Sequence, residues 1–352
     1  MGGRPDLAGA AVHAFAGSAR LNSLKSSTYS QNVERRIIGG NAANAAPAVR
    51  RLTVDAESAG QRLDNFLLRV LKGVPKTHVY RVIRSGEVRV NKGRAAADTR
   101  LEAGDEVRVP PVRVPEKPAV AVPAREFPLL FEDEHLLAIA KPAGVAVHGG
   151  SGVSSGVIEQ LRKARPEARF LELVHRLDKE TSGVLLLAKK RSALTALQDQ
   201  FRARDTGKIY LALVAGAWPS SLKVIDEPLL KTLDSAGERH VRVVSPAHED
   251  GRRSITLIRR AEPRGDFTLL EISLKTGRTH QIRVHLAHAG HPIVGDPKYG
   301  DFALNRQVAR ERRFDRMFLH ARELQFDHPA SGERITLSAP LPPDCTTLLA
   351  SL

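Results

Sequence analysis

The sequence predicts an α+β protein with two folded domains, and three observations support this class. The chain has 352 residues, which is enough to bury two hydrophobic cores. Apolar runs typical of strands outnumber amphipathic helical patterns, and they lack the regular strand–helix alternation of a parallel α/β sheet. The stretch Pro110–Glu126 holds five prolines and shows no helical period, so it is predicted to contain the linker between the domains.

The first predicted domain begins near Arg51 and contains two helices. Residues 1–50 are rich in Ala, Gly, Ser and Asn without a lasting period, and we expect them to form a disordered tail. Apolar residues then recur at helical spacing, which predicts an amphipathic helix and, after Gly73 and Pro75, a second short one. The apolar positions are Leu63, Phe66, Leu67, Val70 and Leu71, followed by Val79, Val82 and Ile83. The stretches EVRV and DEVRV alternate apolar and charged residues, as half-buried strands do.

The same domain carries an unusual excess of positive charge. Between Arg69 and Arg94 there are eight Lys or Arg residues and one acid, Glu87. A solvated helix face normally mixes both signs, whereas this run has one sign only. The whole chain has a net charge of +15 and a pI near 10.3, so it will concentrate polyanions around itself. The pattern favours a nucleic-acid surface.

The second predicted domain is dense in apolar runs of strand length. The strand-like runs are LLAIA, VLLLAKK, IYLALVAGA, SITLIRRA, FTLLEISLKTG and RITLSAPL. Helical patterns between them cover Val157–Lys163, Ser192–Phe201 and His280–Ala289. The excess of strands over helices predicts a mixed sheet in this domain.

Composition narrows the class of protein further. The single cysteine, Cys345, excludes an intrachain disulfide and a zinc site built on cysteines, and it is typical of a reducing cytoplasm. No stretch approaches the ~20 apolar residues needed to span a bilayer, so no membrane segment is predicted. No signal peptide is predicted either, and we expect a cytoplasmic protein.

A cluster of charges interrupts two apolar runs in LVHRLDKETSGVLLLAKK, Leu173–Lys190. A solvated turn would explain it, because Asp, Ser and Gly are ordinary turn residues. A carboxylate at the floor of a cleft, Asp178, is the alternative. The pattern alone favours the turn, and likewise it does not distinguish Tyr210, inside the apolar run IYLALV, from a core tyrosine.

Two further stretches suggest ligand contacts without defining them. Histidines at 280, 285, 288 and 291 are separated by five, three and three residues, with no carboxylate in register, so capping and core histidines are favoured over a metal site. Arg278 and Arg283 follow a predicted strand and suit contact with an anion or a carboxylate. Val147–Gly156 could cradle a phosphate, but the Gly-Lys-Ser/Thr ending of a nucleotide-binding P-loop is missing.

Several of these stretches resemble the RluA-type pseudouridine synthases. The segments HRLDKETSGVLLLAKK, KIYLALV and TGRTHQIRVHLAHAGHPIVGD are similar to the three signature segments of that family, and AIAKPAGVAVHGG resembles its Lys-Pro-x-Gly turn. The segment before the linker resembles an S4 RNA-binding domain. KGVPKTHVYRVIRSGEVRVNKGR, LEAGDEVRVPPVRV and RPEARFLELVHRLD are most similar to the RluC subgroup, which modifies uridines of large-subunit (23S) ribosomal RNA.

The resemblance covers about Arg51 to Pro343 and implies a specific fold. We expect a small S4 (α-L) domain, followed by a catalytic domain in which helices and loops flank a mixed, largely antiparallel sheet. The predicted divisions are a tail at 1–50, an S4-like domain at 51–113, a linker at 114–126, a catalytic domain at 127–343 and a C-terminal end at 344–352.

The resemblance also implies an activity, the isomerisation of uridine to pseudouridine, with no metal and no cofactor. It assigns Asp178 as the nucleophile, Arg283 as the guanidinium paired with it, and Tyr210 as the aromatic ring that packs on uracil. Arg176 would enter the RNA stack where the uridine was extruded, and His175 would line the RNA groove. The other predicted RNA contacts are Arg278, Lys76, Arg81, Arg84 and Lys92.

The expected partner is 23S ribosomal RNA or a large-subunit precursor, bound by a monomer without a protein partner. Two alternatives stay open from the sequence. The chain could be a ribosome-assembly factor that binds RNA without catalysis, or an enzyme for another 23S site or for tRNA. The sequence does not say which uridines are modified, or whether Asp178 attacks the base or the ribose.

Overall fold

A computed structural model describes residues 48–71, 73–112, 122–150, 155–233 and 239–352. Almost all of the predicted tail, and most of the predicted linker, lie outside these residues. Val49–Leu352 form one compact unit. No helix among the described residues is long and apolar enough to cross a membrane.

The N-terminal part is a small sheet packed on two helices. Strands β1 (Arg50–Thr53), β2 (Arg89–Val90) and β3 (Glu106–Val109) pair antiparallel in the order β1-β3-β2, and helices α1 (Leu63–Val70) and α2 (Lys76–Arg84) lie between β1 and β2 in the chain. The apolar positions that predicted the helices face one core. That core includes Leu63, Phe66, Leu67, Val79, Val82, Ile83 and Leu101. The two helices are therefore where the apolar period placed them.

The larger part begins with a hairpin and continues through a long series of strands. Its first half contains β4 (Leu129–Glu132), β5 (Leu136–Lys141), α3 (Val157–Ala164), β6 (Glu172–Leu173), β7 (Ser182–Ala188), α4 (Arg191–Ala203) and β8 (Gly207–Ala215). Its second half contains β9 (Val224–Asp226), β10 (Leu229–Leu233), β11 (Arg239–Val243), β12 (Ile255–Arg264), β13 (Phe267–Leu274), α5 (Gln281–His288), α6 (Phe302–Arg312), β14 (Leu319–Asp327), β15 (Arg334–Ser338) and α7 (Pro343–Ala350).

Ten of these strands form one sheet. Its path is β4-β5-β7-β14-β8-β13-β12-β9, with β15 paired to β14 and β6 paired to β7. Among the described strands of this sheet, β7 and β14 pair parallel and the other pairs are antiparallel. The predicted α+β class, with a mixed and largely antiparallel sheet, is confirmed. Strands β10 and β11 form a separate two-stranded hairpin.

The parallel contact between β7 and β14 joins the two halves of the sheet. His320 lies opposite Ser182 and Ala321 opposite Gly183, while Tyr210 of β8 faces Ala321 from the other side. Gly183 has φ 119°, and a Cβ there would lie 2.1 Å from the carbonyl oxygen of Ala321. Only glycine fits at this close approach of the two strands. The pairing brings the start of β7, and the charged loop before it, close to Tyr210 of β8.

The sequence missed several elements of this half. Strand β14 was not among the predicted strands, because LHARELQFD carries Arg322 and Glu323 and its neighbours in the sheet are distant in sequence. Helices α6 and α7 were not predicted either, and α6 contains the arginine-rich stretch 306–312. The predicted helix at His280–Ala289 begins at Gln281, because His280 has φ 55°, outside the helical region.

The last helix is part of the packed structure. Cys345 and Leu348 of α7 are buried in a cluster with Leu213, Val294 and Phe318, which belong to β8 and to the segments before β14. Residues 344–352 therefore pack as part of the larger unit. The predicted division after residue 343 has no counterpart in this packing, although the domain limits themselves stay predictions.

Candidate active site

A cleft of about 660 Å³ opens beside the centre of the large sheet. The loop before β7, the end of α4, the start of β8 and the segment leading into α5 contribute its walls. Six of the ten predicted site residues line it. They are His175, Arg176, Asp178, Tyr210, Arg278 and Arg283. The four predicted residues of the S4-like region are not among its lining residues.

Asp178 lies on the turn that leads into β7. The Thr181 amide donates to the Asp178 carbonyl (3.1 Å), which closes the turn immediately before the buried strand. The Asp178 side chain is 20% exposed, so it is reachable from the cleft but removed from bulk solvent. The charged stretch is therefore a turn and also part of a cleft, because Asp178 sits on the turn and the turn lines the cleft.

Arg283 brings a positive charge to this carboxylate from a position 105 residues later in the chain. Its Nη1 lies 3.4 Å from Asp178 Oδ2, and only 5% of its side chain is exposed. The His280 Nε2 lies 3.9 Å from Asp178 Oδ1 on the other side. A cation therefore lies against the carboxylate in the cleft, and a carboxylate is the form of an acidic side chain that can act as a nucleophile.

A second carboxylate, Asp296, fixes the orientation of Arg283. Arg283 Nε and Nη2 donate to the two oxygens of Asp296 at 2.7 and 2.8 Å, and Asp296 is fully buried. The backbone amides of Lys298 and Tyr299 also donate to Asp296. Burial raises the pKa of Asp296, but the hydrogen bonds and charge of Arg283 outweigh this and leave the pKa below its ordinary value. The sequence analysis did not identify Asp296. The only signal in the sequence is its place in GDPKYG, shortly after the predicted helix at His280–Ala289.

Gln281 holds the start of α5 in place. Its side-chain oxygen accepts from the Thr276 hydroxyl and the Arg278 amide, while its nitrogen donates to the Ile255 carbonyl and the Thr256 hydroxyl. The helix is therefore tied to the end of β13 and the start of β12. Arg283 lies two residues further along, in the same first turn of α5, so these contacts position the backbone that carries its side chain.

Tyr210 lies in β8 with its ring against the cleft. Burial raises the pKa of Tyr210, and the negative charge of Asp178 raises it further. The phenol therefore keeps its proton at physiological pH. The ring packs in both apolar clusters that flank the sheet here, next to Ala321 and Ile272 on the adjacent strands. It is both a core residue and a cleft residue.

Tyr299 joins the active-site residues to the β10–β11 hairpin. Its hydroxyl contacts His280 Nδ1 at 2.9 Å and accepts from the Val241 amide at 3.3 Å. Its ring lies 5.1 Å from the Arg283 guanidinium carbon, within range of a cation–π interaction. The sequence analysis did not identify this residue.

Lys141 supports the turn that carries Asp178. The side chain is 1% exposed, and its Nζ donates to the carbonyls of Pro142, Val145 and Lys179. Burial lowers the pKa of Lys141 to about 7, while the charges of Glu180 and Asp178 oppose this. Three donors and three acceptors suit an ammonium group. The Lys-Pro-x-Gly turn was noticed in the sequence, but the role of its lysine was not.

Other predicted contacts have structural partners. The His175 ring stacks on Phe201 at 5.0 Å and accepts a hydrogen bond from the Leu186 amide, and burial lowers the pKa of His175 to about 3. It is therefore neutral, and its contact with RNA stays a prediction. Gly149 and Gly156 donate their amides to the Glu159 carboxylate, so these two amides of the suggested phosphate cradle already have an anion.

The remaining predicted RNA residues are exposed. Arg176 points from the loop before β7 at the rim of the cleft. Lys76, Arg81, Arg84 and Lys92 are exposed on α2 and on the turn after β2, opposite the apolar face of α2. His285, from the histidine-rich stretch, is buried against Thr256 and the Glu227 carbonyl, and the described residues contain no group of His, Cys, Asp and Glu that could hold a metal ion.

Comparison with known proteins identifies both parts of the chain. Residues 135–288 match the sequence model of RNA pseudouridylate synthase, and residues 61–107 match that of the S4 domain. The chain is 52% identical to ribosomal large subunit pseudouridine synthase C of Pasteurella multocida, over 87% of this chain and 94% of that protein. The enzyme of the same name from Escherichia coli K12 is 52% identical, over 84% of this chain and 94% of that protein.

Solved structures show the same likeness. The chain resembles human RNA pseudouridylate synthase domain containing 4, with a TM-score of 0.52 and 28% identity over 63% of this chain and 92% of that one. It also resembles human RNA pseudouridylate synthase domain containing 1, with a TM-score of 0.50 and 28% identity over 62% of this chain and 85% of that one.

The fold, the cleft and these matches define the class of protein as an RNA-modifying isomerase joined to an S4 RNA-binding domain. The chain belongs to the RNA pseudouridylate synthase family. Members of this family isomerise uridine in RNA to pseudouridine, and the resemblance inferred from the sequence is thereby confirmed.

Proposed function

We propose that this protein isomerises uridines of large-subunit (23S) ribosomal RNA to pseudouridine, with Asp178 as the nucleophile. The names of its relatives support the substrate. The observation that carries the assignment of the nucleophile is the 3.4 Å contact between Asp178 and the buried Arg283 inside the cleft. A site for RNA binding alone would not need a carboxylate held against a polyanion.

The reaction exchanges one glycosidic bond for another. The bond between uracil N1 and ribose C1′ breaks, a bond between C5 and C1′ forms, the C5 proton leaves and N1 gains a proton. The Asp178 carboxylate forms the covalent intermediate, at the base or at C1′, and leaves unchanged at the end of the cycle. Asp296 holds the Arg283 guanidinium in place beside Asp178, and this guanidinium keeps its positive charge throughout the reaction.

Tyr210 and Arg176 hold the substrate in this scheme. The Tyr210 ring packs on the uracil ring, and its hydroxyl keeps its proton because burial and the charge of Asp178 raise its pKa. Arg176 fills the gap that the extruded uridine leaves in the RNA stack. Extrusion costs a few kcal/mol of unstacking, which contacts with cationic and aromatic side chains offset.

The rest of the RNA surface extends beyond the cleft. Arg278 at the cleft and the exposed residues Lys76, Arg81, Arg84 and Lys92 bind RNA phosphates, and the same contacts apply to a large-subunit precursor. His175 supports the groove through its stack on Phe201. We expect residues 51–113 and 127–343 to act as the two domains of a cytoplasmic monomer.

The test is to map pseudouridine in ribosomal RNA from a strain that lacks this gene. We expect specific 23S positions to lose the modification, which is detected because pseudouridine has the mass of uridine but reacts with carbodiimide. The positions should regain it when the gene is restored. Unchanged 23S RNA combined with loss of pseudouridine in tRNA would overturn the proposed substrate but not the chemistry.

A further inference from the structure

The cleft is lined by more positively charged side chains than the proposed reaction uses. Among the described residues that line it there are seven Arg or Lys side chains and a single carboxylate, Asp178. Arg283 is the cation that contacts this carboxylate. The cations where α4 ends and β8 begins have no role in the mechanism described above. They include Arg204 and Lys208.

Lys208 is a partly buried cation at this end of the cleft. Its Nζ lies 5.1 Å from the centre of the Phe201 ring, and it forms no ion pair with any residue in the described part of the chain. Burial lowers the pKa of Lys208, and the positive charge of Arg204 lowers it further. Burying an unpaired ammonium costs free energy, so this position is costly for the protein alone.

Arg204 stands at a position where glycine is the usual residue. It follows the last turn of α4 with φ 69°, in the left-handed region that residues with a Cβ rarely adopt. Its guanidinium is exposed and has no ion pair among the described residues. A cation favours the C-terminus of a helix, which offers one structural reason for it. That reason does not explain why a second cation, Lys208, lines the same part of the cleft.

Phe201 connects these cations to the catalytic loop. Its ring stacks on His175 with an angle of 15° between the rings and also lies beneath Lys208. Arg176 follows His175 directly. One aromatic ring therefore contacts both Lys208 and His175, the neighbour of the residue that is to replace the extruded uridine. Two cations that line the same cleft and form no ion pair among the described residues offer a site for an anion, and the RNA backbone supplies phosphates at regular intervals.

We propose that Lys208 and Arg204 bind the phosphate backbone of the RNA strand next to the extruded uridine. The proposal rests on the proposed function, because it assumes that RNA occupies the cleft. The two residues would hold the strand while Arg176 replaces the base. This assigns Arg204 and Lys208 to the RNA backbone, and Asp178 and Arg283 to the chemistry.

The experiment compares Lys208→Met with Lys223→Met, a matched loss of one charge at an exposed lysine outside the cleft. RNA binding is measured between 50 and 300 mM salt with an RNA that contains a target uridine. We expect Lys208→Met to weaken binding about tenfold at low salt and to reduce the slope of log K against log salt by about 0.7 to 0.9. Lys223→Met should behave as the wild type.

Thermal unfolding of the same variants separates binding from structure. If Lys208 is kept for a phosphate, Lys208→Met unfolds at the same or a higher temperature than the wild type, because an unpaired charge is no longer buried. If it serves the fold through Phe201, the unfolding temperature falls while the salt slope stays unchanged, and this result overturns the inference. Arg204→Gly should likewise lower the salt slope without loss of stability, because glycine accepts the positive φ.

The result for the wild type distinguishes the two proposals. Salt-sensitive binding by the wild-type protein together with unchanged slopes in Lys208→Met and Arg204→Gly contradicts the backbone contact alone. Absence of RNA binding by the wild-type protein contradicts the proposed function.

Discussion

Arg283 separates two carboxylates that have different tasks. Its bonds to the fully buried Asp296 are short, at 2.7 and 2.8 Å, whereas Asp178 lies 3.4 Å away and remains partly exposed. A tight two-point pair with Asp178 would occupy both carboxylate oxygens and hinder attack. Asp296 takes that geometry instead, so Arg283 stabilises the charge of Asp178 without covering it.

We expect Asp296→Asn to lower both the stability and the activity of the protein. The substitution leaves a buried guanidinium without its tight partner, so the free energy of unfolding should fall by about 3–5 kcal/mol. Activity should fall as well, because Arg283 can turn onto Asp178. Urea denaturation and initial rates at saturating RNA measure the two effects. Wild-type stability and wild-type turnover in this variant would contradict the role given to Asp296.

The same pair predicts a pH dependence of stability. The pKa of Asp296 lies below its ordinary value in the folded protein, so the unfolded chain binds this proton first as pH falls. The stabilisation is complete above pH ~4 and is lost as pH falls through the folded pKa. Urea midpoints of the wild type and Asp296→Asn should therefore differ by a constant amount above about pH 5 and converge as the pH is lowered below about 4. A difference that stays constant below pH ~4 would contradict it.

At the scale of single elements, the start of β7 is fixed from two sides. The parallel pairing with β14 requires Gly183, and the Lys141 ammonium binds the carbonyl of Lys179, next to Asp178. The turn that carries the nucleophile is therefore held by the pairing of β7 with β14 and by a buried lysine, as well as by its own residues.

The element-scale prediction is that Lys141→Met disturbs both stability and turnover. It removes a buried donor from three partly buried hydrogen bonds, and we expect the free energy of unfolding to fall by about 2 kcal/mol or more. The turnover number should fall because the Asp178 turn loses its support. Lys190→Met, which removes an exposed ion pair with Glu134, is the control and should change stability by less than about 1 kcal/mol. Equal effects of the two substitutions would contradict the supporting role.

The sequence predicts those elements in which apolar residues recur at a regular spacing along one buried face. The helices α1, α3 and α4 were found because their apolar residues recur on one face. Strand β14 was missed because charges interrupt it and its burial depends on β7 and β8, which lie far away in the chain. In the same way, the resemblance assigned Asp178 and Arg283, but Asp296, Tyr299 and Lys141 act through contacts that only the folded chain reveals.

At the scale of the whole molecule, the cations predicted to contact RNA have two locations. One is the cleft, and the other is the exposed face of α2 and the turn after β2 in the S4 domain. Chemistry is confined to the first, so the second should contribute affinity without contributing to the chemical step.

The prediction at this scale concerns Arg81→Gln combined with Arg84→Gln. Loss of two exposed cations should weaken RNA binding and lower the slope of log K against log salt by about 1 to 2. The turnover number at saturating RNA should stay at the wild-type value. Filter binding over a salt series and single-turnover rates test this. An unchanged slope, or a reduced rate at saturation, would show that α2 has a different role.

The central claim is that Asp178 forms the covalent intermediate, and the release of tritium from RNA labelled at uridine C5 tests it most directly. Each turnover releases the C5 hydrogen. With saturating RNA, we predict that Asp178→Asn binds within about threefold of the wild type and releases tritium at least about 10⁴-fold more slowly. Release by the purified variant at a rate near that of the wild type would contradict the claim.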